Sequence, residues 1–223
     1  SVRGFNSFTL IDGFRLGNSN SSSLGAGSYP YDLANIERIE VLKGPASTLH
    51  GRGLPGGVVN FITKKPQFTP HTELQATFGS ESLQRAIIDT TRPVNQNESL
   101  AYRLIATFTS SESHRNSIES LAKRIYPSLT WKPTADTQLH IRTEYSKAEY
   151  TPDQGSLFLP NGESAPASSR SFFWGDSDDQ IETKQFGAQS QLQIDLSEVY
   201  RIQAQAGARR AETVGTATVG TNL

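Results

Sequence analysis

Long stretches of this chain alternate between apolar and polar side chains, and this alternation limits the possible folds more than any other feature. Over residues 185–196, every even-numbered position except Ser190 is apolar, and the odd-numbered positions are Gln, Gly or Asp. Similar alternation recurs over residues 100–109, 139–146 and 200–209. Because successive side chains of a β-strand point to opposite faces, period two over about ten residues indicates long amphipathic strands.

The connections between the predicted strands are also regular. We predict seven strands, at residues 72–78, 83–94, 100–110, 123–132, 138–150, 182–196 and 199–213. Tight turns alternate with longer loops, and the longer loops grow along the chain to the stretch 151–181. Outer-membrane barrels show this alternation, with short periplasmic turns and long extracellular loops. Antiparallel strands in odd number cannot close such a barrel, so we expect a fragment with an incomplete barrel.

Composition excludes several other classes of protein. Hydrophobic residues make up 35% of the chain, and no run approaches the ~20 apolar residues of a membrane-spanning helix. A net charge of −1 argues against a nucleic-acid binder, and the absence of cysteine excludes disulfides and thiolate metal sites. A soluble β-rich binding module stays open as an alternative, although its strands would usually be only about 5–6 residues long.

The first 66 residues differ from the rest in composition and in hydrophobic pattern. They are glycine-rich, and short apolar runs are separated by turns and by a polar tract at 17–28. We predict a small mixed α/β domain at 1–66, with a candidate short helix at 45–50 and with Phe61 and Ile62 buried. Residues 67–223 would then supply the antiparallel strands of a transmembrane β-barrel.

Motifs in both regions point to one family. Residues 36–45, 56–60 and 63–66 read IERIEVLKGP, GGVVN and TKKP, and together they resemble the second half of the plug domain of TonB-dependent receptors. Downstream, the motifs at 102–104 and 126–131 resemble the first barrel strands of the ferrichrome-like branch. The resemblance implies a siderophore receptor in the outer membrane of a Gram-negative bacterium. Its partners would be a ferric siderophore, outer-membrane lipid and TonB, whose contact segment this sequence lacks.

The same resemblance suggests where the siderophore binds. In ferrichrome-like receptors an aromatic pair before a Leu-Pro lines the pocket, and Phe158 occupies one of those positions here, whereas Ser156 occupies the other. Trp174 either contacts the ligand or anchors its loop. The polar tract of the plug matches the apical loops that touch the ligand from below. Candidate contacts in and beside that tract are Arg15, Asn18, Asn20, Ser28 and Tyr29.

Charged residues and glycines of the plug suggest how it packs. Charges of both signs alternate along one predicted strand and suit releasable ion pairs between plug and barrel; they are Glu37, Arg38, Glu40 and Lys43. Exposed ion pairs contribute only about 0–1 kcal/mol each, which is suitable for a domain that must move. The glycines between 44 and 57 would allow tight turns with positive φ and close approach of the backbone to the barrel wall.

Other motifs favour structural explanations. Residues 51–56 match the spacing of the GxGxxG dinucleotide-binding fingerprint, which requires a helix after it. Pro55 and the β-branched pair Val58-Val59 favour a turn followed by a strand instead. The four histidines lack metal-ligand spacing, and the Asp residues at 176–179 do not match a calcium loop. We therefore expect no enzyme activity, no metal site and no cofactor, with iron present only as part of the cargo.

Three functional alternatives remain open at this point. The cargo of the transporter could be vitamin B12 or an oligosaccharide instead of an iron–siderophore complex. The chain could also belong to a non-transporting surface or signalling receptor, or to the soluble binding module mentioned above. The alternation of residues 186–196 predicts that even-numbered side chains face lipid and odd-numbered ones face the lumen.

Overall fold

The computed structural model describes residues 8–15, 32–43, 57–153, 155, 171–173 and 175–217. The described residues divide into two compact units, one ending at Lys65 and the other beginning at Pro66. Each unit contains its own hydrogen-bonded sheet. Within the described residues, no helix is both long and apolar enough to cross a membrane.

The first unit is a small mixed sheet. Its strands are β1 (Phe8–Ile11), β2 (Phe14–Arg15), β3 (Ile36–Leu42) and β4 (Val58–Thr63). They lie in the order β2-β1-β4-β3, and β1 runs parallel to β4 while the other pairs are antiparallel. A single 3-10 turn at Leu33–Asn35 precedes β3, and the Asp32 carboxylate accepts a 3.0 Å hydrogen bond from the Ala34 amide there. The candidate helix at 45–50 lies outside the described residues.

The core of this unit differs from the prediction. Leu10 and Val58 are buried against each other with Leu42 packed beside them, whereas Phe61 and Ile62 are only half-buried. The prediction that Phe61 and Ile62 are buried is therefore wrong. On this part of β4 the buried side chains are polar ones that form hydrogen bonds, Asn60 and Thr63.

The second unit is an antiparallel meander. Its strands are β5 (His71–Phe78), β6 (Gln84–Pro93), β7 (Leu100–Glu112), β8 (Glu119–Thr134), β9 (Thr137–Tyr150), β10 (Ile181–Asp195) and β11 (Arg201–Gly215). Each strand pairs with the next along the chain, so the seven predicted strands are confirmed, and β5 and β11 form the two edges of the sheet. β8 begins at Glu119, earlier than the predicted start at residue 123.

The two faces of this sheet have opposite character. On the polar face, the side chains are buried and many are charged; they include Asp89, Thr91, Arg103, Thr107, Arg124, Thr130, His140, Arg142, Glu144, Ser146 and Gln185. On the apolar face, large hydrophobic side chains are exposed; they include Phe78, Ile88, Phe108, Ile125, Leu129, Trp131, Ile141, Tyr145, Phe186 and Ile202. A sheet folded for water would reverse this distribution, so the apolar face requires an apolar environment.

The register makes the lipid-facing prediction testable at two adjacent residues. Leu192 is opposite Leu139 on the apolar face, whereas Gln191 is opposite His140 on the polar face. In the full-length protein in a bilayer, we expect a spin label at Leu192 to be relaxed by oxygen dissolved in lipid. A label at Gln191 should instead respond to a water-soluble nickel chelate. The reverse accessibilities would show that the faces are assigned wrongly.

Candidate functional site

The Asp-Gly turn of the first unit is fixed by hydrogen bonds to β4. The Asp12 carboxylate accepts hydrogen bonds from the backbone amide of Thr63 at 2.9 Å and from its hydroxyl at 2.7 Å. The Gly13 amide donates to the Asn60 side chain at 3.1 Å. Asp12 and Gly13 have positive φ values of 48° and 82°. These contacts therefore fix the turn that connects β1 to β2.

Of the predicted ligand contacts, the structure locates only the backbone of one. Arg15 ends β2, where it pairs with Leu10. The remaining candidates lie outside the described residues, and their contact with a ligand stays a prediction; they are Asn18, Asn20, Ser28, Tyr29, Phe158 and Trp174.

The predicted ion-pairing residues of the plug interact mainly with one another. The Arg38 guanidinium lies 2.9 Å from Glu40 and 3.7 Å from Glu37, and all of these side chains are at least one-third exposed. Glu40 also accepts a 3.4 Å hydrogen bond from the side-chain Nδ2 of Asn60. Lys43 follows β3 and is exposed. Their predicted pairing with a barrel wall stays a prediction.

A buried ion pair joins β6 to β7 on the polar face. Arg103 donates two hydrogen bonds of 2.7 Å each to the carboxylate of Asp89, and the side chains are only 8% and 3% exposed. The two bonds come from Nε and Nη2 along one edge of the planar guanidinium, a geometry that a lysine could not provide. The pair therefore links β6 to β7 through their side chains on the polar face.

Next to this pair, one threonine holds the segment that leads into β5. The Thr91 hydroxyl accepts a 2.8 Å hydrogen bond from the Gln67 amide and lies 2.9 Å from the carbonyl oxygen of Tyr102. The Lys132 ammonium lies 4.7 Å from the centre of the Phe68 ring, within the range of a cation–π contact. Gln67 is therefore attached to the sheet through the completely buried Thr91, and Phe68 through a contact with the exposed Lys132.

A second network spans β9, β10 and β11. Arg142 donates a 2.7 Å hydrogen bond to Gln189 and lies 3.4 Å from Glu144, which also pairs with Arg209. Gly187 makes room for this network, because a Cβ atom there would lie 2.8 Å from Glu144. These paired charges make the polar face suitable for hydrated contents rather than for an apolar ligand.

At one end of the sheet, which we call the loop end, two long connections meet. Arg115 lies 3.5 Å from Asp153, and the Asn116 amide donates a 3.0 Å hydrogen bond to the Ser171 carbonyl. A recess of about 570 Å³ opens between these connections, lined by Asn116, Ser117, Phe172, Phe173, Gly175, Asp176 and Ser177. The ring of Phe173 lies against Gly175. Phe173 therefore packs against its own loop, and the role of Trp174 stays a prediction.

The charged side chains of the polar face are the residues that sequence reasoning missed. Period-two alternation predicted that these positions face away from lipid, but cross-strand partners depend on register. Arg103 and Asp89 lie 14 residues apart, and Glu144 and Arg209 lie 65 apart. The sequence feature that could have indicated these ion pairs is a charged residue at a position on the polar face. In the described part of the chain, no group of acidic residues and histidines could hold a metal ion.

Comparison with known proteins identifies the family. The TonB-dependent Receptor Plug Domain family matches residues 1–58. The metal-pseudopaline receptor CntO of Pseudomonas aeruginosa is 32% identical over 193 residues, which cover 86% of this chain and 27% of that receptor. The chain belongs to the TonB-dependent receptor family. The ferrioxamine B receptor of Salmonella typhimurium is 33% identical over 188 residues, covering 79% of this chain and 26% of its own length. This TonB-dependent receptor chain thus spans about a quarter of the curated relatives that it matches.

Solved structures confirm the fold of the receptor chain. The pyoverdine outer membrane receptor FpvA from Pseudomonas aeruginosa PAO1 superimposes with a TM-score of 0.86 at 22% identity, over 97% of this chain and 32% of that one. A plug sheet followed by antiparallel barrel strands, the predicted fold, is therefore confirmed. The family consists of Gram-negative outer-membrane receptors and not of enzymes, which confirms the predicted class and localisation.

Proposed function

We propose that the full-length receptor binds a ferric siderophore at the extracellular face and imports it through its plug-gated barrel, energised by TonB. The observation that carries this proposal is the similarity to receptors named for metal-pseudopaline, ferrioxamine B and ferrichrome. Each of these cargoes is a metal ion or iron complex held by a small organic chelator. Iron would pass through as cargo, so the receptor needs no resident cofactor.

The polar face is consistent with this function. Its buried, paired charges can line a hydrated lumen that a plug domain fills, because each charge already has a partner and needs no ligand to balance it. In the plug unit, the ion pairs of Arg38 are exposed and hence weak. If these exposed side chains also pair with the barrel wall, as the sequence predicts, TonB could displace the plug by breaking only weak ion pairs.

The candidate siderophore contacts combine polar groups with aromatic rings. Amide and hydroxyl groups suit hydroxamate or catecholate oxygens, and aromatic rings suit the apolar parts of a bulky chelate. Within the proposal, the polar groups come from Arg15, Asn18, Asn20, Ser28 and Tyr29 of the plug. The aromatic groups come from Phe158 and Trp174 on the long loop.

Phe158→Ala in the full-length receptor is expected to weaken siderophore binding about thirtyfold. Truncating a central aromatic contact typically costs about 2 kcal/mol or more, which corresponds to that change in Kd. Quenching of tryptophan fluorescence by the bound iron complex would measure the affinity. Iron-limited growth should fall without a fall in the amount of receptor in the membrane. Unchanged affinity in a normally folded Phe158→Ala receptor would contradict the assignment of Phe158 to the pocket.

Trp174→Ala provides the comparison. If Trp174 only anchors its loop, this variant should lose loop order and bind the siderophore with an affinity close to that of the wild type. If both variants lose affinity equally, Phe158 and Trp174 belong to one pocket wall.

A transport experiment separates import from the alternatives. Cells that express the receptor should accumulate radioactive iron from the matching siderophore, and deletion of TonB should abolish this uptake. Binding without any TonB-dependent uptake would identify a surface or signalling receptor. If the receptor bound vitamin B12 or an oligosaccharide and no siderophore, the assignment of a siderophore as the cargo would be wrong.

A further inference from the structure

The recess at the loop end has walls that the chain itself holds in place. The short connection between β7 and β8 holds both limbs of the long connection between β9 and β10. On the outgoing limb, the Arg115 guanidinium lies 3.5 Å from Asp153 and donates a hydrogen bond to the Gly155 carbonyl. On the returning limb, the Asn116 amide donates to the Ser171 carbonyl at 3.0 Å. The recess is therefore pre-formed, as small-molecule sites usually are.

Each wall of the recess is also ordered by its own hydrogen bonds. In the short connection, the Ser113 amide donates to the Ile118 carbonyl at 2.9 Å, and Ser117 has a positive φ of 62°. In the returning limb, the Asp176 carboxylate accepts a 3.0 Å hydrogen bond from the Asp178 amide. This bond fixes the orientation of Asp176, which lines the recess.

The lining combines one aromatic surface with several hydrogen-bonding groups. Phe172 is 37% exposed, so part of its ring can contact a ligand, whereas the ring of Phe173 lies against Gly175. Within the described residues, no aliphatic side chain lines the recess, so it does not suit an acyl chain. The polar groups of the lining are the side-chain amide of Asn116, the hydroxyls of Ser117 and Ser177, and the carboxylate of Asp176.

The charges of the recess limit the class of ligand further. Among the described residues that line it, none is cationic and one, Asp176, is a carboxylate. The neighbouring Arg115 already binds Asp153 and the Gly155 carbonyl. A phosphate or an anionic chelate would therefore meet a like charge with no compensating cation. A neutral ligand with many hydroxyl groups would instead find donors and acceptors together, because each hydroxyl both donates and accepts.

We propose that this recess binds a short neutral saccharide. The apolar face of a sugar ring stacks on the exposed part of Phe172, and its hydroxyl groups donate to Asp176 and bond to the side chain of Asn116. The volume of about 570 Å³ falls within the range typical of small-molecule pockets. The lining residues are not candidate siderophore contacts, so the saccharide site is separate from the cargo site and does not depend on the identity of the cargo.

The test uses the full-length receptor in phosphatidylcholine vesicles, probed with an array of short neutral and acidic oligosaccharides. Neutral saccharides should bind more tightly than their carboxylated or phosphorylated counterparts. Isothermal titration with the tightest neutral saccharide then compares the variants. Phe172→Ala should weaken binding about tenfold or more, and Phe172→Tyr should preserve it. Asp176→Ala should also weaken binding about tenfold, because it removes a charged hydrogen-bond acceptor.

Asn116→Ala and His114→Ala form a matched pair on the short connection. Both side chains are exposed, but only Asn116 lines the recess. Asn116→Ala should therefore weaken saccharide binding several-fold, and His114→Ala should leave it unchanged. All of these variants should bind the siderophore as the wild type does, which also shows that they are folded.

A further comparison identifies the source of the saccharide. The titration is repeated in outer-membrane vesicles from cells that carry a surface polysaccharide and from cells that lack it. Weaker binding in the first vesicles would show that the cell's own polysaccharide occupies the recess, and equal binding would indicate a soluble saccharide.

Three results would overturn the proposal. The first is an array on which no neutral saccharide binds. The second is unchanged saccharide affinity in Phe172→Ala. The third is a parallel loss of siderophore affinity in the recess variants, which would assign the recess to the siderophore pocket.

Discussion

Arg103→Met in the full-length receptor is expected to lower the free energy of unfolding by about 3–5 kcal/mol. The substitution leaves the Asp89 carboxylate buried without the guanidinium that holds it through two 2.7 Å hydrogen bonds. An unpaired buried charge costs much more than the net contribution of the intact pair. Urea unfolding of the receptor in detergent, followed by tryptophan fluorescence, would measure the difference.

Two further variants interpret this result. Replacing both partners (D89L/R103M) removes the charges together and should restore most of the lost stability, because apolar side chains often substitute for a buried pair without loss. Arg201→Met breaks the ion pair between Arg201 and Asp195, whose side chains are 58% and 33% exposed. This variant should leave the unfolding midpoint unchanged. If Arg103→Met were as mild as Arg201→Met, the Asp89 pair would not be buried in the receptor.

The strands of the barrel could be predicted because each one carries its own signal. Alternation places a side chain on a face regardless of which strand lies next to it, so the seven strands and their faces follow from local sequence. The start of β8 could not be predicted from alternation. Its first residues are polar, yet Ser120 is opposite Tyr150 and continues the ladder. Backbone hydrogen bonds extend a strand beyond its apolar segment, and alternation does not show where they end.

The buried contacts could not be predicted because they depend on register and on partners that are distant in sequence. Nothing near Asp12 in the sequence indicates that Thr63 is its hydrogen-bond partner, because 51 residues separate the two. The same contact explains the wrong prediction for Phe61 and Ile62. In a small sheet, a polar side chain can occupy the interior when it is hydrogen-bonded to a fixed partner.

Among the glycines predicted to allow close backbone approach, Gly57 is described and the others lie outside the described residues. It has φ of +101°, and a Cβ atom there would lie 2.1 Å from the carbonyl oxygen of Leu42. The backbone that it approaches is therefore that of β3, the neighbouring strand in its own unit. Gly57 thus combines a conformation that favours glycine with a contact that only glycine permits.

Gly57→Ala is expected to destabilise the plug unit by more than about 3 kcal/mol. The added methyl group would force β3 away from β4, because backbone atoms cannot move aside as a flexible side chain can. The ladder between these strands would loosen first, and it carries the buried Val58. Hydrogen exchange in the full-length receptor should show amides of β4 losing about hundredfold protection or more, while amides of β7 and β8 stay protected.

Gly155→Ala is the matched control for this effect. Gly155 has φ of +85°, so alanine meets the same unfavourable backbone conformation, but nothing lies within 4 Å of the added atom. Left-handed backbone alone costs an alanine roughly 1–2 kcal/mol, and the loss should stay within the loop. If the two variants had equal effects, backbone conformation alone would explain Gly57. A larger and more extended loss of protection in Gly57→Ala would show that the close approach to Leu42 holds the plug sheet together.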